Sequence, residues 1–231
     1  MSKAFSNHKN SPNNISADES AAPQHTLFPR DKKELKLMIE QEKANKGIDA
    51  DLNHIDVSKI TDMSELFKLS HFKGDISKWD VSNVTNMAEM FDMSSFNGDI
   101  SEWDVSNVTD MREMFSGAVW FNGDISEWDV SNVTDMSGML GGAVSFDQDL
   151  SGWDVSNVTD MSDMFNGAGS FNGDISTWDV RNVTKMSYMF TCASSFNQDL
   201  SGWDVSKVIY DYDVFKNCPC PKEHQPRFKQ Q

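Results

Sequence analysis

Carboxylates set at regular intervals are the first chemistry this sequence offers. Asp56, Asp80, Asp104, Asp129, Asp154, Asp179 and Asp204 each sit one residue before a valine, 24 or 25 residues apart. If successive copies stack like neighbouring strands, these groups form one column at about 4.8 Å spacing. Like charges that close repel by about 1 kcal/mol per neighbour even in a water-like dielectric. Three arrangements offset that cost. The aspartates accept backbone or serine hydrogen bonds in their turns, they share cations such as Ca²⁺ between copies, or they face a basic partner. No D-x-[DN]-x-[DN]-G loop accompanies them, so a dedicated calcium loop has no sequence support.

Two further columns run beside the first. Asn-Val-Thr begins at Asn83, Asn107, Asn132, Asn157 and Asn182. Each is a formal glycan acceptor, but glycans one strand spacing apart would collide, so the triplet reads as turn and cap chemistry. Thr61, Thr85, Thr109, Thr134, Thr159 and Thr184 make a threonine ladder, a weak version of an ice-binding face. Catalysis needs different groups converging on one place, whereas a repeat supplies the same groups many times. His8, His25, His54, His71 and His224 share no column, and there is no G-x-S-x-G, P-loop or H-E-x-x-H motif. The expectation is therefore no enzyme, no cofactor and no metal site.

The element that must position these groups is the repeat itself. Trp79, Trp103, Trp128, Trp153, Trp178 and Trp203 mark its period, and Ile55 takes the same place in a degenerate first copy, giving seven copies. Within one copy Ile100, Trp103 and Val105 follow the apolar-x-x-apolar-x-apolar strand pattern of leucine-rich repeats, although Asn107 falls one place early. Val108, Met111, Met114, Phe115 and Ala118 then step by threes and fours, which predicts a short helix capped by Thr109 or Asp110 and ended by Gly117. The expected fold is an α/β solenoid: a leucine-rich-repeat-like stack of about seven 24–25-residue coils, each a short parallel strand plus a short helix, with an N-terminal helical cap. One such unit cannot bury its own apolar face, so stacking must, through a tryptophan column, a phenylalanine column and two methionine columns. The helical spacing of the methionines favours core filling over a soft-metal face.

The ends of a stack must differ from its middle. "RDKKELKLMIEQEKA" carries Asp31 and Glu34 in capping-box spacing, with Leu35, Met38, Ile39 and Glu42 at helical intervals. The expected organisation is a disordered segment at 1–28, a capping helix at 29–50, repeats over 51–215, and a C-terminal cap and tail over 216–231. Three cysteines, Cys192, Cys218 and Cys220, are an odd number for a disulfide framework, and Cys-Pro-Cys has too few neighbouring ligands for a zinc site. They read as free thiols, or as one bridge from Cys192 to Cys218 or Cys220.

Charge narrows the partners. The formal net charge is -16, and residues 51–215 hold 8 Lys/Arg against 28 Asp/Glu. That surface repels phosphate backbones, so nucleic acid is not an expected partner. Nor is membrane insertion, because no apolar run approaches about 20 residues. The opening twenty residues lack the apolar core of a Sec signal, and no lipobox cysteine follows, so the expected location is cytoplasmic or reached by a non-Sec route.

The phrases "SFNGDIS", "WDVSNVTDMS" and "MF-GA" resemble the 25–26-residue repeat of BspA-like leucine-rich-repeat surface proteins, also found in mycoplasma lipoproteins and listerial surface proteins. "DLNHIDVSKITDMSELF" resembles the first repeat of bacterial members, and the resemblance covers about residues 31–228. It implies adhesion or protein recognition at a microbial surface, without enzymatic activity, and a cell-surface or secreted location.

The expected function is thus a non-enzymatic protein-recognition or adhesion module, acting as a monomer on a basic or host-derived protein. Its face would comprise Asp80, Asp104, Asp129, Asp154, Asp179 and Asp204 with Glu102 and Glu127 beside them. Trp120 stands where other copies carry His71, Ser95, Ser145, Ser170 or Ser195. It is the expected aromatic anchor at a loop tip, or else packs locally against Val119 or a neighbouring coil. The alternative is a structural or cation-binding rod, with ice binding as its remote variant.

Overall fold

The computed structural model describes residues 25–229; residues 1–24 of the segment expected to be disordered lie outside the described residues. Copies begin at Asp51, Asp75, Asp99, Asp124, Asp149, Asp174 and Asp199, and each is a series of turns. In the third copy, Trp103 N donates to Ile100 O at 3.2 Å, Val108 N to Val105 O at 2.9 Å, and Met114 N to Met111 O at 3.2 Å. Each of these three corners is preceded by an acceptor side chain. Asp99, Asp104 and Asp110 each accept, through Oδ1, the N–H two residues on, from Ser101, Ser106 and Arg112. This Asx turn offers the backbone a local partner in place of a long ladder.

The expected strand plus helix in each coil is therefore corrected. Among the described residues, the copies contain neither a named strand nor an α-helix; successive copies meet in single parallel bridges, such as Asp110 with Asp135 and Asp135 with Asp160. The backbone explains why. Glu113 has φ 53° and Gly117 has φ 63°, so a left-handed residue falls every fourth position where a helix needs an unbroken right-handed run. Neither Thr109 nor Asp110 caps a helix there, and Gly117 closes a turn.

The same alternation directs the peptide groups. Met111, Glu113, Phe115 and Gly117 donate their N–H groups to the carbonyls of Asp135, Ser137, Met139 and Gly141 in the next copy, at 3.0, 2.8, 2.9 and 2.7 Å. A planar trans peptide points its C=O opposite to its N–H. Four peptide units per copy thus run along the stacking direction, all with one polarity. Thr134 N donates the opposite way, to Thr109 O at 2.9 Å.

Between these turns lies a continuous apolar core built from columns. Two phenylalanine columns form where one was expected. Phe67, Phe91 and Phe115 stack at 5.4 and 5.5 Å, and Leu140 interrupts the series. Phe121, Phe146, Phe171 and Phe196 stack at 6.0 Å intervals. The methionines Met111, Met114, Met136 and Met139 are fully buried, as their spacing required. Each indole of the tryptophan column also ties two copies together: Trp128 Nε1 donates to Ile100 O at 3.1 Å, and Trp153 Nε1 to Ile125 O at 3.0 Å.

The first copy is covered by α1, Lys32–Lys46. Asp31 Oδ1 accepts from Glu34 N at 2.9 Å, while the Glu34 carboxylate reaches back to Arg30 N at 2.8 Å rather than to Asp31 N, a capping box shifted by one residue. Leu35 and Ile39 are fully buried. Lys32 Nζ meets Asp62 Oδ2 at 2.9 Å and Ser64 Oγ at 2.6 Å, and Lys43 Nζ reaches Ser70 Oγ at 3.3 Å. These ammonium groups stand at the carbonyl end of the aligned peptides, the sign that complements it. Before α1, Leu27 bridges to Ile55. At the other end a single 3-10 turn, Lys222–His224, returns to the last copy, where Leu200 N donates to His224 O at 2.8 Å.

Two substitutions test this frame by urea denaturation. Trp128→Phe removes the donor to a buried carbonyl and should cost about 1–3 kcal/mol. Gly142→Val places a β-branched residue at φ 70° and should cost about 1–2 kcal/mol. A Gly142→Val protein as stable as the parent would sink the left-handed assignment.

Candidate functional site

The aspartate column is built by the second corner of every copy. Oδ1 of Asp56, Asp80, Asp104, Asp129, Asp154 and Asp204 accepts from the N–H of the serine two residues on, at 3.0 to 3.1 Å. The hydroxyls of Ser82 and Ser106 add a second bond at 2.6 Å. The turn hydrogen bond, one of the three arrangements that offset charge repulsion, is thus made at each of these corners. It fixes the carboxylate by one oxygen and leaves Oδ2 of Asp80, Asp104, Asp129 and Asp154 without a bond from the described residues. Those four aspartates are exposed, as are Glu102 and Glu127. Glu127, Asp129, Gly152 and Asp154 share one shallow concavity of about 290 Å³.

The column changes character at its C-terminal end. Arg181 replaces the serine, and its Nε and Nη2 hold Asp179 at 2.8 and 2.6 Å, lowering that carboxyl to about 2. Asp204 is held low by Ser206, with Arg181 and Lys207 contributing. Of the predicted aspartates, Asp80, Asp104, Asp129 and Asp154 form an uninterrupted acidic run, while Asp179 and Asp204 lie in a region of mixed charge. The signal for this was in the sequence: Arg181 breaks the W-D-V-S pattern.

Trp120 does not belong to that face. Its side chain is 66% exposed, and the cavity beside it is lined by Lys73, Ser95 and Asn97. Glu89, Asp92 and Glu113 bring three carboxylates within 4.8 Å of one another. Lys68 pairs with Glu89, and its ammonium lies 3.0 Å from Asp92 Oδ2, so the cluster already holds a cationic group. Burial pushes the Glu113 carboxyl up, and Glu89 and Asp92 add to the shift.

The remaining repeated groups work within the frame. Asn107 Nδ2 donates to Ser82 O at 2.7 Å, and Asn132 Nδ2 to Ser106 O at 2.7 Å, so the amide of the Asn-Val-Thr triplet links copies. Thr109 Oγ1 donates to Thr85 O at 3.2 Å and Thr134 Oγ1 to Thr109 O at 3.2 Å, engaging the hydroxyl hydrogen of the ladder. All three cysteines are free thiols. Burial pushes Cys220 up to about 11, which suppresses its thiolate. No helix among the described residues is long and apolar enough to cross a membrane.

The corner carboxylates make stability depend on acid. The Asp104 carboxyl is lowered by the Ser106 hydroxyl and N–H, and that of Asp124 by the Ser126 N–H and then its hydroxyl. A lowered folded pKa means the unfolded chain takes protons first. The contribution is whole above the unfolded value of about 3.9 and lost as pH falls through the folded one. Urea midpoints should be flat between neutral pH and about pH 5 and fall below the unfolded value; midpoints that rise on acidification would contradict the corner assignment.

No curated protein and no solved structure matches the chain. A family model described as "Mycoplasma protein of unknown function, DUF285" matches residues 33–152 and 121–225, the span that carries the cap helix, the repeated corners and the aspartate column, and the chain belongs to that family.

Proposed function

We propose that the protein is a non-enzymatic recognition module that engages a basic protein surface through its second-corner aspartates. The observation that carries this reading is the run Asp80–Asp104–Asp129–Asp154, in which each carboxylate is locked by one oxygen and presents the other outward. A carboxylate already fixed in place loses little freedom when a cation arrives, and complementary charge accelerates encounter. Glu102 and Glu127, exposed next to the run, vary from copy to copy where the corners do not. The likeness of the repeat phrases to BspA-like surface proteins supports adhesion as the setting.

A poly-lysine peptide is a suitable probe. The triple substitution Asp104→Asn, Asp129→Asn, Asp154→Asn keeps the Oδ1 acceptors, as Asn86 does at its own corner, where Ala88 N donates to Asn86 Oδ1 at 2.9 Å. It should slow association about tenfold or more at low salt. The charge-matched triple Asp99→Asn, Asp124→Asn, Asp149→Asn at the first corner should change it far less. Equal losses from both triples would reduce the effect to net charge and refute the face.

A further inference from the structure

Trp120 is set apart from every other tryptophan of the chain. The six repeat indoles are 3–6% exposed, and each donates to a carbonyl of the preceding copy; Trp120 is 66% exposed and makes no such bond. Its ring forms one wall of a cavity of about 340 Å³ whose other walls are Lys73, Ser95 and Asn97. No lining residue is acidic, on a chain of net charge -16.

Three side-chain donors of this cleft have no protein acceptor among the described residues. Asn97 Oδ1 accepts from Asn122 N at 2.8 Å, and its Nδ2 is one of these donors. Among the described residues, Lys73 Nζ and Trp120 Nε1 also donate to no protein acceptor. Ser95 Oγ lies 3.2 Å from His71 Nδ1. An exposed aromatic plate with donors around its rim fits a ligand that has one apolar face and many oxygen acceptors. An apolar side chain would cover the plate but leave the donors desolvated and unpaired. A polyphosphate would meet a single lysine against the negative field of the repeats.

We propose that this cleft binds a pyranose ring of a glycan. The C–H face of the sugar lies on the Trp120 indole, and its ring and hydroxyl oxygens accept from Lys73, Asn97 and Trp120 Nε1. The volume, near the lower end of ligand sites at about 300–1,000 Å³, suits one or two rings. The site shares no residue with the acidic run, so the two readings stand or fall separately.

Trp120 is its own reporter, being the exposed indole among buried ones. Cellobiose, the N-acetylglucosamine disaccharide and glucuronic acid, titrated into the full chain, should protect it from acrylamide quenching. The two neutral sugars against the acid separate a neutral ring from an acidic one. Trp120→Ser, the residue found here in four other copies, should melt like the parent and lose the protection. Asn97→Ala and Lys73→Met should each weaken binding about fivefold, the worth of one net hydrogen bond. The Asp104, Asp129, Asp154 triple should bind sugar unchanged. The proposal is overturned if none of the three sugars protects Trp120, if Trp120→Ser binds equally well by calorimetry, or if an acidic peptide protects the indole where the sugars do not.

Discussion

Everything in this molecule depends on one arrangement of the backbone: alternate peptide groups turned parallel to the stacking direction, each donating to the carbonyl of the copy ahead. Met111, Glu113, Phe115 and Gly117 show it in one copy, and the register repeats with Met136, Gly138, Leu140 and Gly142 in the next. To hold it, a residue must enter the left-handed region every fourth position. Gly138 and Gly142 do so without strain, whereas Glu113, Asp163 and Cys192 do so at a cost that each copy recovers from its neighbour's hydrogen bonds. A copy without a neighbour would have the cost and not the bonds, which is why stability here is a property of the series. The common polarity also gives the series two unlike ends, and the lysines of α1 answer the carbonyl end.

Because the frame is made of turns, polar side chains carry much of what a ladder would carry in a sheet. The aspartates hold the corners, the Asn-Val-Thr amides and the tryptophan indoles bridge copies, and Asn97, Asn122, Asp147 and Asn172 pass a further bond along the series. Repeated chemistry is thereby committed to structure. What remains for recognition is the second oxygen of each exposed aspartate and those side chains that occur once, Trp120 and Lys73 among them.

Several features were legible in the residues themselves. Buried columns followed from the period, since an apolar residue recurring every 24 or 25 positions has its own copies as nearest neighbours. α1 followed from Leu35 and Ile39 at helical spacing behind Asp31. The short helices were misread for a definite reason: Val108, Met111, Met114, Phe115 and Ala118 step by threes and fours both in a helix and in a chain of three-residue turns. Side-chain spacing reports which residues face inward; it does not report the sign of φ at Glu113. Ile100, Trp103 and Val105 misled in the same way, because the Asx turns at Asp99 and Asp104 bend a pattern that otherwise reads as extended.

The sequence by itself determined the number of copies, the membership of the core, the capping helix and the acidic columns, because each depends on residue type and interval alone. Tertiary structure decided the rest. Whether a copy is strand and helix or a series of turns depended on hydrogen bonds to residues about 25 positions away, which no local window contains. The same distance separates Trp120 from Ser95 and Asn97, so the chain could mark that indole as unusual but only folding could set it beside a lysine and an amide.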